Sequence, residues 1–160
     1  MADARIFADL KHDHDRQRKL LTKLEKTSGD SEERRTLFEE LRVELQAHAA
    51  AEEESLYATM LAKPDLRDEA RHSVAEHKEV DDMLGELVET DMSSSAWLKK
   101  FKQMRDRYTH HIDEEEDEMF PAAADGLSKK AEDEAAAVFE KRKPAERERA
   151  EDEMPGDARE

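Results

Sequence analysis

The chain has 160 residues, 44% of them charged, with 43 acids against 27 Lys and Arg and a formal net charge of −16. So acidic a surface repels phosphate backbones and anionic headgroups, which argues against nucleic acid and membrane partners and leaves small neutral ligands and metal cations. There is no Cys, so disulfides and thiolate metal sites are excluded and any metal must be held by nitrogen and oxygen. No apolar run approaches the roughly 20 residues of a membrane span, and Met1-Ala2-Asp3-Ala4-Arg5 lacks the apolar stretch of a signal peptide, so a single cytoplasmic domain is expected.

Only four Gly and four Pro accompany an Ala-, Glu-, Lys-, Leu- and Arg-rich vocabulary, which predicts an all-α chain. The first helix is expected from about Asp3 to Thr27, with Gly29-Asp30 as its stop. Ser31 caps a second helix reaching Leu61, and Pro64 opens a third that extends to about Glu89. The Ser93-Ser94-Ser95 cluster caps a fourth, beginning near Ala96 and stopping before Pro121. Each carries an apolar stripe at the 3.6-residue period, as in Ile6, Leu10, Leu21 and Leu24 or Trp97, Phe101, Met104 and Tyr108. Four stripes with short connections predict an up-down-up-down four-helix bundle over residues 1–125. A short C-terminal helix is expected within 126–144, running from Ser128 to Lys143 with Val138 and Phe139 as anchors and ending at Lys143-Pro144. Residues 145–160 read as a disordered charged tail.

Within the stripes sit six polar residues that a core should reject: His14, His48, Glu52, His77, His111 and Glu115. The i, i+4 pairs His48/Glu52 and His111/Glu115 each place a nitrogen and an oxygen on one helical face. The spacing between motifs is more specific. His14 to His48 is 34 residues, and so is His77 to His111. Adding 63 maps His14 to His77, His48 to His111, Glu52 to Glu115, Glu53 to Glu116, Tyr57 to Phe120 and Asp13 to Glu76. Two helical hairpins related by a pseudo-two-fold axis would gather the six groups around one point. His12 and His72 lie roughly 200° from the inward positions His14 and Val74 and should face solvent. His110 leaves the stripe, and Asp81 is expected at its boundary. The other acids of Glu52-Glu53-Glu54 and Glu114-Glu115-Glu116 read as a solvated face.

Asp13-His14, His48-Ala-Ala-Ala-Glu52-Glu53, Glu76-His77 and His111-Ile-Asp-Glu-Glu115-Glu116, followed by Phe120-Pro121, resemble the hemerythrin-like HHE cation-binding domain over roughly residues 5 to 125. That resemblance implies a carboxylate-bridged non-haem centre of two iron ions with the six residues as ligands; manganese or zinc suits the same donors. Oxygen-carrying hemerythrins have a further His four residues before the third-helix ligand. Here that position is Ser73, so the chain resembles the bacterial variants with two His-x-x-x-Glu motifs, and the departure counts against reversible oxygen carriage. The function expected is binding or reduction of dioxygen, hydrogen peroxide or nitric oxide. The alternative is a non-enzymatic iron buffer or sensor whose bundle is stabilised by metal. Asp13 and Glu76 read either as partners that fix His tautomers or as exposed helix residues. Tyr108 reads as core filler or as a hydrogen-bond donor to the centre.

Overall fold

The computed structural model describes residues 3–156. Regular structure among them is entirely helical: α1 (Arg5–Glu25), α2 (Glu32–Glu52), a π-helical turn (Glu53–Tyr57), α3 (Ala58–Leu61), α4 (Pro64–Glu89), α5 (Ser95–Glu114), a second π-helical turn (Glu115–Met119), α6 (Phe120–Gly126) and α7 (Lys129–Asp152). The punctuation is that of the sequence. Gly29 takes the left-handed conformation after α1, at φ 64°, which a side chain would disfavour. Ser31, Ser94 and Ser128 cap α2, α5 and α7 through their hydroxyls, each accepting a helix-start N–H that would otherwise lack a partner. Pro64 occupies the first turn of α4.

Two expectations require correction. The fourth helix does not stop before Pro121: α5 passes through its π-turn into α6, with Pro121 in the first turn of the new segment. In the π-turn the Phe120 N–H reaches back to the Glu115 carbonyl, so the hydrogen-bond register has already shifted where proline removes a donor. Nor does the last helix end at Pro144. It continues to Asp152 with Pro144 in its interior, so residues 145–152 are helical and not a disordered tail, while 157–160 lie outside the described residues. Anchors beyond the proline offset the lost bond. Buried Arg42 on α2 donates to the carbonyls of Ala150 (3.0 Å) and Glu153 (2.8 Å), and Arg147 reaches buried Glu44 at 3.1 Å. Of the two expected anchors, Phe139 is buried while Val138 is 39% exposed. The chain then folds onto α4, where Gly156 donates to Asp81 at 2.8 Å and the Pro155 carbonyl lies 3.0 Å from where a Cβ on Gly85 would stand. A side chain at 85 would displace this segment.

The long helices close a ring, α1 packing on α2 and α5, and α4 on α5 and α2, while α7 lies along α1 and α2. The interior holds two apolar clusters. One gathers Ile6, Phe7, Leu10, Leu56, Met60 and Phe120 with Phe139 of α7; the other gathers Leu24, Leu41, Leu84, Trp97, Phe101 and Met104. Between them lies a polar layer.

Candidate metal centre

The layer consists of the six residues singled out by the repeat, His14 from α1, His48 and Glu52 from α2, His77 from α4, and His111 and Glu115 from α5 and its π-turn, all buried. Their donor atoms form two sets that share both glutamates. His14, His48, Glu52 and Glu115 offer four atoms within 4.8 Å of one another, and so do Glu52, His77, His111 and Glu115. Glu115 spans the two, with Oε1 at 3.3 Å from His14 Nε2 and Oε2 at 3.4 Å from His111 Nε2. Glu52 Oε1 lies 3.4 Å from Nε2 of both His48 and His77.

These separations discriminate between a hydrogen-bonded core and a coordination shell. Among the described residues, Nε2 of His14, His48 and His111, both oxygens of Glu52 and Oε1 of Glu115 have no hydrogen-bond partner. Orphaned buried groups of this kind cost about 1–3 kcal/mol each, and more when charged. Donors bound to one ion at about 2.1 Å, however, stand roughly 3.0 Å apart in an octahedron and 3.4 Å in a tetrahedron. The observed spacing is that of coordination edges, so the residues fit a metal.

The outward nitrogens are all engaged. Nδ1 of His48 meets Asp13 at 2.9 Å, His77 meets Glu53 at 3.0 Å, His111 meets Glu76 at 2.9 Å and His14 meets Glu116 at 2.7 Å. A carboxylate accepting Nδ1–H fixes the tautomer that presents the Nε2 lone pair inward. Burial alone would lower an imidazole pKa. The surrounding carboxylates outweigh it, lifting His48 to about 10 through Asp13 and Glu52 and His77 to about 9 through Glu52 and Glu53. Burial likewise opposes the Glu52 charge, yet His48 and His77 hold its carboxyl well below the usual range. The carboxylates around these imidazoles thus favour positive charge within the layer.

The family model of the hemerythrin HHE cation-binding domain matches residues 5–123. The chain belongs to this family. It is 31% identical over 115 residues, 71% of its length and 68% of theirs, to uncharacterized protein Rv2633c of Mycobacterium tuberculosis and to its counterpart in Mycobacterium bovis. The crystal structure of an HHE domain-containing protein from Mycobacterium kansasii, described as an Rv2633c homolog, superposes with a TM-score of 0.74 at 27% identity, covering 91% of this chain and 90% of that one. As an HHE domain, the protein is a metal-binding domain whose buried His/Glu cluster is able to hold metal.

Around the HHE cluster, His12, His72 and His110 are exposed, as their angular positions predicted. Asp81 stands outside the polar layer, on the Gly156 N–H. Asp13 and Glu76 are partners of the histidines rather than exposed residues, each serving the His of the next helix and not its own neighbour in sequence. Glu53 and Glu116, read as a solvated face, do the same for His77 and His14. The donor tyrosine is not Tyr108, whose hydroxyl bonds Gln17 Oε1. It is Tyr57, fully buried, which donates to Glu115 Oε2 and lies 3.4 Å from His77 Nε2. Burial and the carboxylates of Glu115 and Glu52 push its phenol well up, keeping it a donor. Its place in the sequence, five residues after Glu52, would face it away from the cluster in a regular helix. The π-turn between them changes that facing.

Proposed function

We propose that this protein is a non-haem di-iron protein that binds or reduces a small oxidant, namely dioxygen, hydrogen peroxide or nitric oxide. His14 and His48 would hold one ion and His77 and His111 the other, with Glu52 and Glu115 shared between them, inside an up-down-up-down four-helix bundle. The observation that carries the reading is the set of inward donor atoms spaced 3.3–3.4 Å apart, most of them without a hydrogen-bond partner among the described residues. Manganese or zinc satisfies the same donors. Two iron ions held in this way supply the electrons for reduction and the coordination positions at which a small molecule binds. The protein's own part is to orient four imidazoles through four outer carboxylates, to hold a proton on Tyr57 beside Glu115, and to admit the small molecule. A cavity of about 250 Å³ between α2 and α4, lined by Leu45, Ala49, Val74 and Leu84 together with Glu53, Lys78 and Asp81, reaches His77 and Tyr108. The aliphatic part of its wall suits an uncharged diatomic or peroxide molecule.

The test is metal content and ultraviolet–visible spectra of protein expressed with iron, before and after peroxide, alongside a His12→Ala control and a His77→Ala variant. About two irons per chain and charge-transfer bands that respond to peroxide are expected, retained in His12→Ala and lost in His77→Ala. Multiple turnovers of peroxide or nitric oxide separate an enzyme from an iron buffer or sensor. A colourless protein that retains no metal and melts identically with and without iron overturns the di-iron reading.

A further inference from the structure

The internal repeat makes the groove between α4 and α5 the counterpart of that between α1 and α2, but the two are treated differently. α7 covers the α1–α2 side and brings the Lys143 ammonium to 2.5 Å from Asp13 Oδ2. Asp13 is the repeat partner of Glu76, and both accept from an Nδ1 of the centre, at His48 and His111 respectively. On the covered side, then, a cation belonging to the chain rests against the outer carboxylate. On the open side the same position is bounded by donors: His72 Nε2 stands 3.5 Å from Glu76 Oε1 and 3.7 Å from Glu114 Oε1, and His110 Nε2 is 3.1 Å from Glu114 Oε2. His72, Glu76 and Glu114 can point three donor atoms at one ion.

This cluster is the mouth of a cavity of about 250 Å³ that has Asp68, Glu69 and Glu118 at its sides and reaches His111 and Glu115. Those two residues are each 2% exposed, and His111 Nε2 and Glu115 Oε1 have no hydrogen-bond partner among the described residues. Among the described residues no Lys or Arg lines the cavity; the neighbouring Arg107 is engaged by Glu79 at 2.6 Å. A cleft walled by one sign of charge concentrates counter-ions and raises their association rate by about 10- to 1,000-fold.

We propose that His72, Glu76 and Glu114 form a docking site for a divalent transition-metal cation, the point from which metal passes to the buried centre. The site takes, on the open side, the place that Lys143 fills on the covered one. Glu76 links its two ends, since the same Oε1 that faces His72 accepts from His111 Nδ1. The acidic groove is thus the route for cations, distinct from the cavity on the α2–α4 side. The proposal rests on the metal-centre reading for its destination, and its test has one arm that does not.

In the first arm, Mn²⁺ is added to the full chain and the imidazole resonances are followed by NMR. Saturable broadening of His72 and His110 ahead of the exposed control His12, abolished in Glu114→Gln, is expected; broadening that treats His12 alike overturns the docking site whatever the centre does. In the second, metal-free protein is mixed anaerobically with Fe²⁺. The double variant His72→Ala/Glu114→Gln should load roughly tenfold more slowly than the parent and reach the same final metal content. Equal loading rates overturn the route. Parent protein that broadens at His72 yet retains no iron after dialysis refutes the buried centre and leaves the docking site standing as a cation site of its own.

Discussion

Lys143→Met tests whether α7 supports the centre or merely covers it. The ammonium, 13% exposed, contacts Asp13 Oδ2 at 2.5 Å and Glu44 at 2.9 Å. Glu44 is fully buried, and Asp13 accepts from His48. Breaking a buried pair by removing one partner costs about 3–5 kcal/mol. Glu44 keeps Arg147 at 3.1 Å and Gln17 at 2.8 Å, and Asp13 keeps His48, so about 2 kcal/mol is expected here. For a chain of this size that is a drop in Tm of roughly 4–8 °C, read in thermal and urea melts of metal-free protein. A cycle with Glu44→Gln should return a coupling of about 1–2 kcal/mol. Metal affinity should also fall, by about tenfold, the low end of what loss of an outer partner causes, because Lys143 acts on His48 through Asp13. Lys143→Arg should recover part of both effects. A Lys143→Met protein within about 0.5 kcal/mol of the parent and with unchanged metal affinity would refute the reasoning.

Three further outcomes follow from the same structure. Tyr57→Phe removes the donor on Glu115 Oε2 and should destabilise the metal-free protein by about 1.5–3 kcal/mol, the worth of a buried hydrogen bond to a charged group; an unchanged urea midpoint would show that the phenol contributes nothing there. Pro144→Ala restores a helical donor inside α7 and should stabilise by about 2 kcal/mol, the roughly 3 kcal/mol interior penalty less what proline gains by restricting the unfolded chain; a lower Tm would mean that the ring is packed rather than tolerated. Asp9 on α1 has its pKa raised to about 7 by burial and by Glu140 of α7, with Asp13 adding to the rise and Arg5 opposing it. The folded state therefore binds more protons than the unfolded between about pH 4 and 7, and this group's contribution to stability falls as pH rises through that window and is level above it. Urea midpoints of Asp9→Asn should lose that slope; an identical pH profile would remove Asp9 as its source.

The six inward residues were legible because burying a carboxylate or imidazole has so high a cost that its recurrence on an apolar stripe, twice over at one spacing, marks them out from core filler. What escaped sequence reading shares one physical origin: it depends on contacts between helices or on a change of register within one. Glu53 and Glu116 look solvated on a uniform 3.6-residue wheel, and Tyr57 looks misdirected. The π-helical turns at Glu53–Tyr57 and Glu115–Met119 alter the wheel just where these residues stand. Helix α7 beyond Pro144 was illegible for another reason. Its charge pattern matches that of a disordered segment, and its order comes from partners over a hundred residues away, the buried Arg42 and Glu44.

The outer carboxylates reveal why the centre and the fold are hard to separate. Asp13 of α1 holds His48 of α2, Glu53 after α2 holds His77 of α4, Glu76 of α4 holds His111 of α5, and Glu116 after α5 holds His14 of α1. Each helix orients the histidine of the next, and the cycle closes on itself. No single helix can then shift without turning an imidazole away from the centre, and cations held between pairs of these imidazoles would resist such a shift. Metal binding in such an arrangement acts on the packing of the whole ring rather than on one hairpin. The repeat alone would make the two halves of that ring equivalent. α7 removes the equivalence by setting Lys143 against Asp13 and leaving Glu76 facing His72, so that one half is locked by the chain's own charge while the other stays open to a cation from solution.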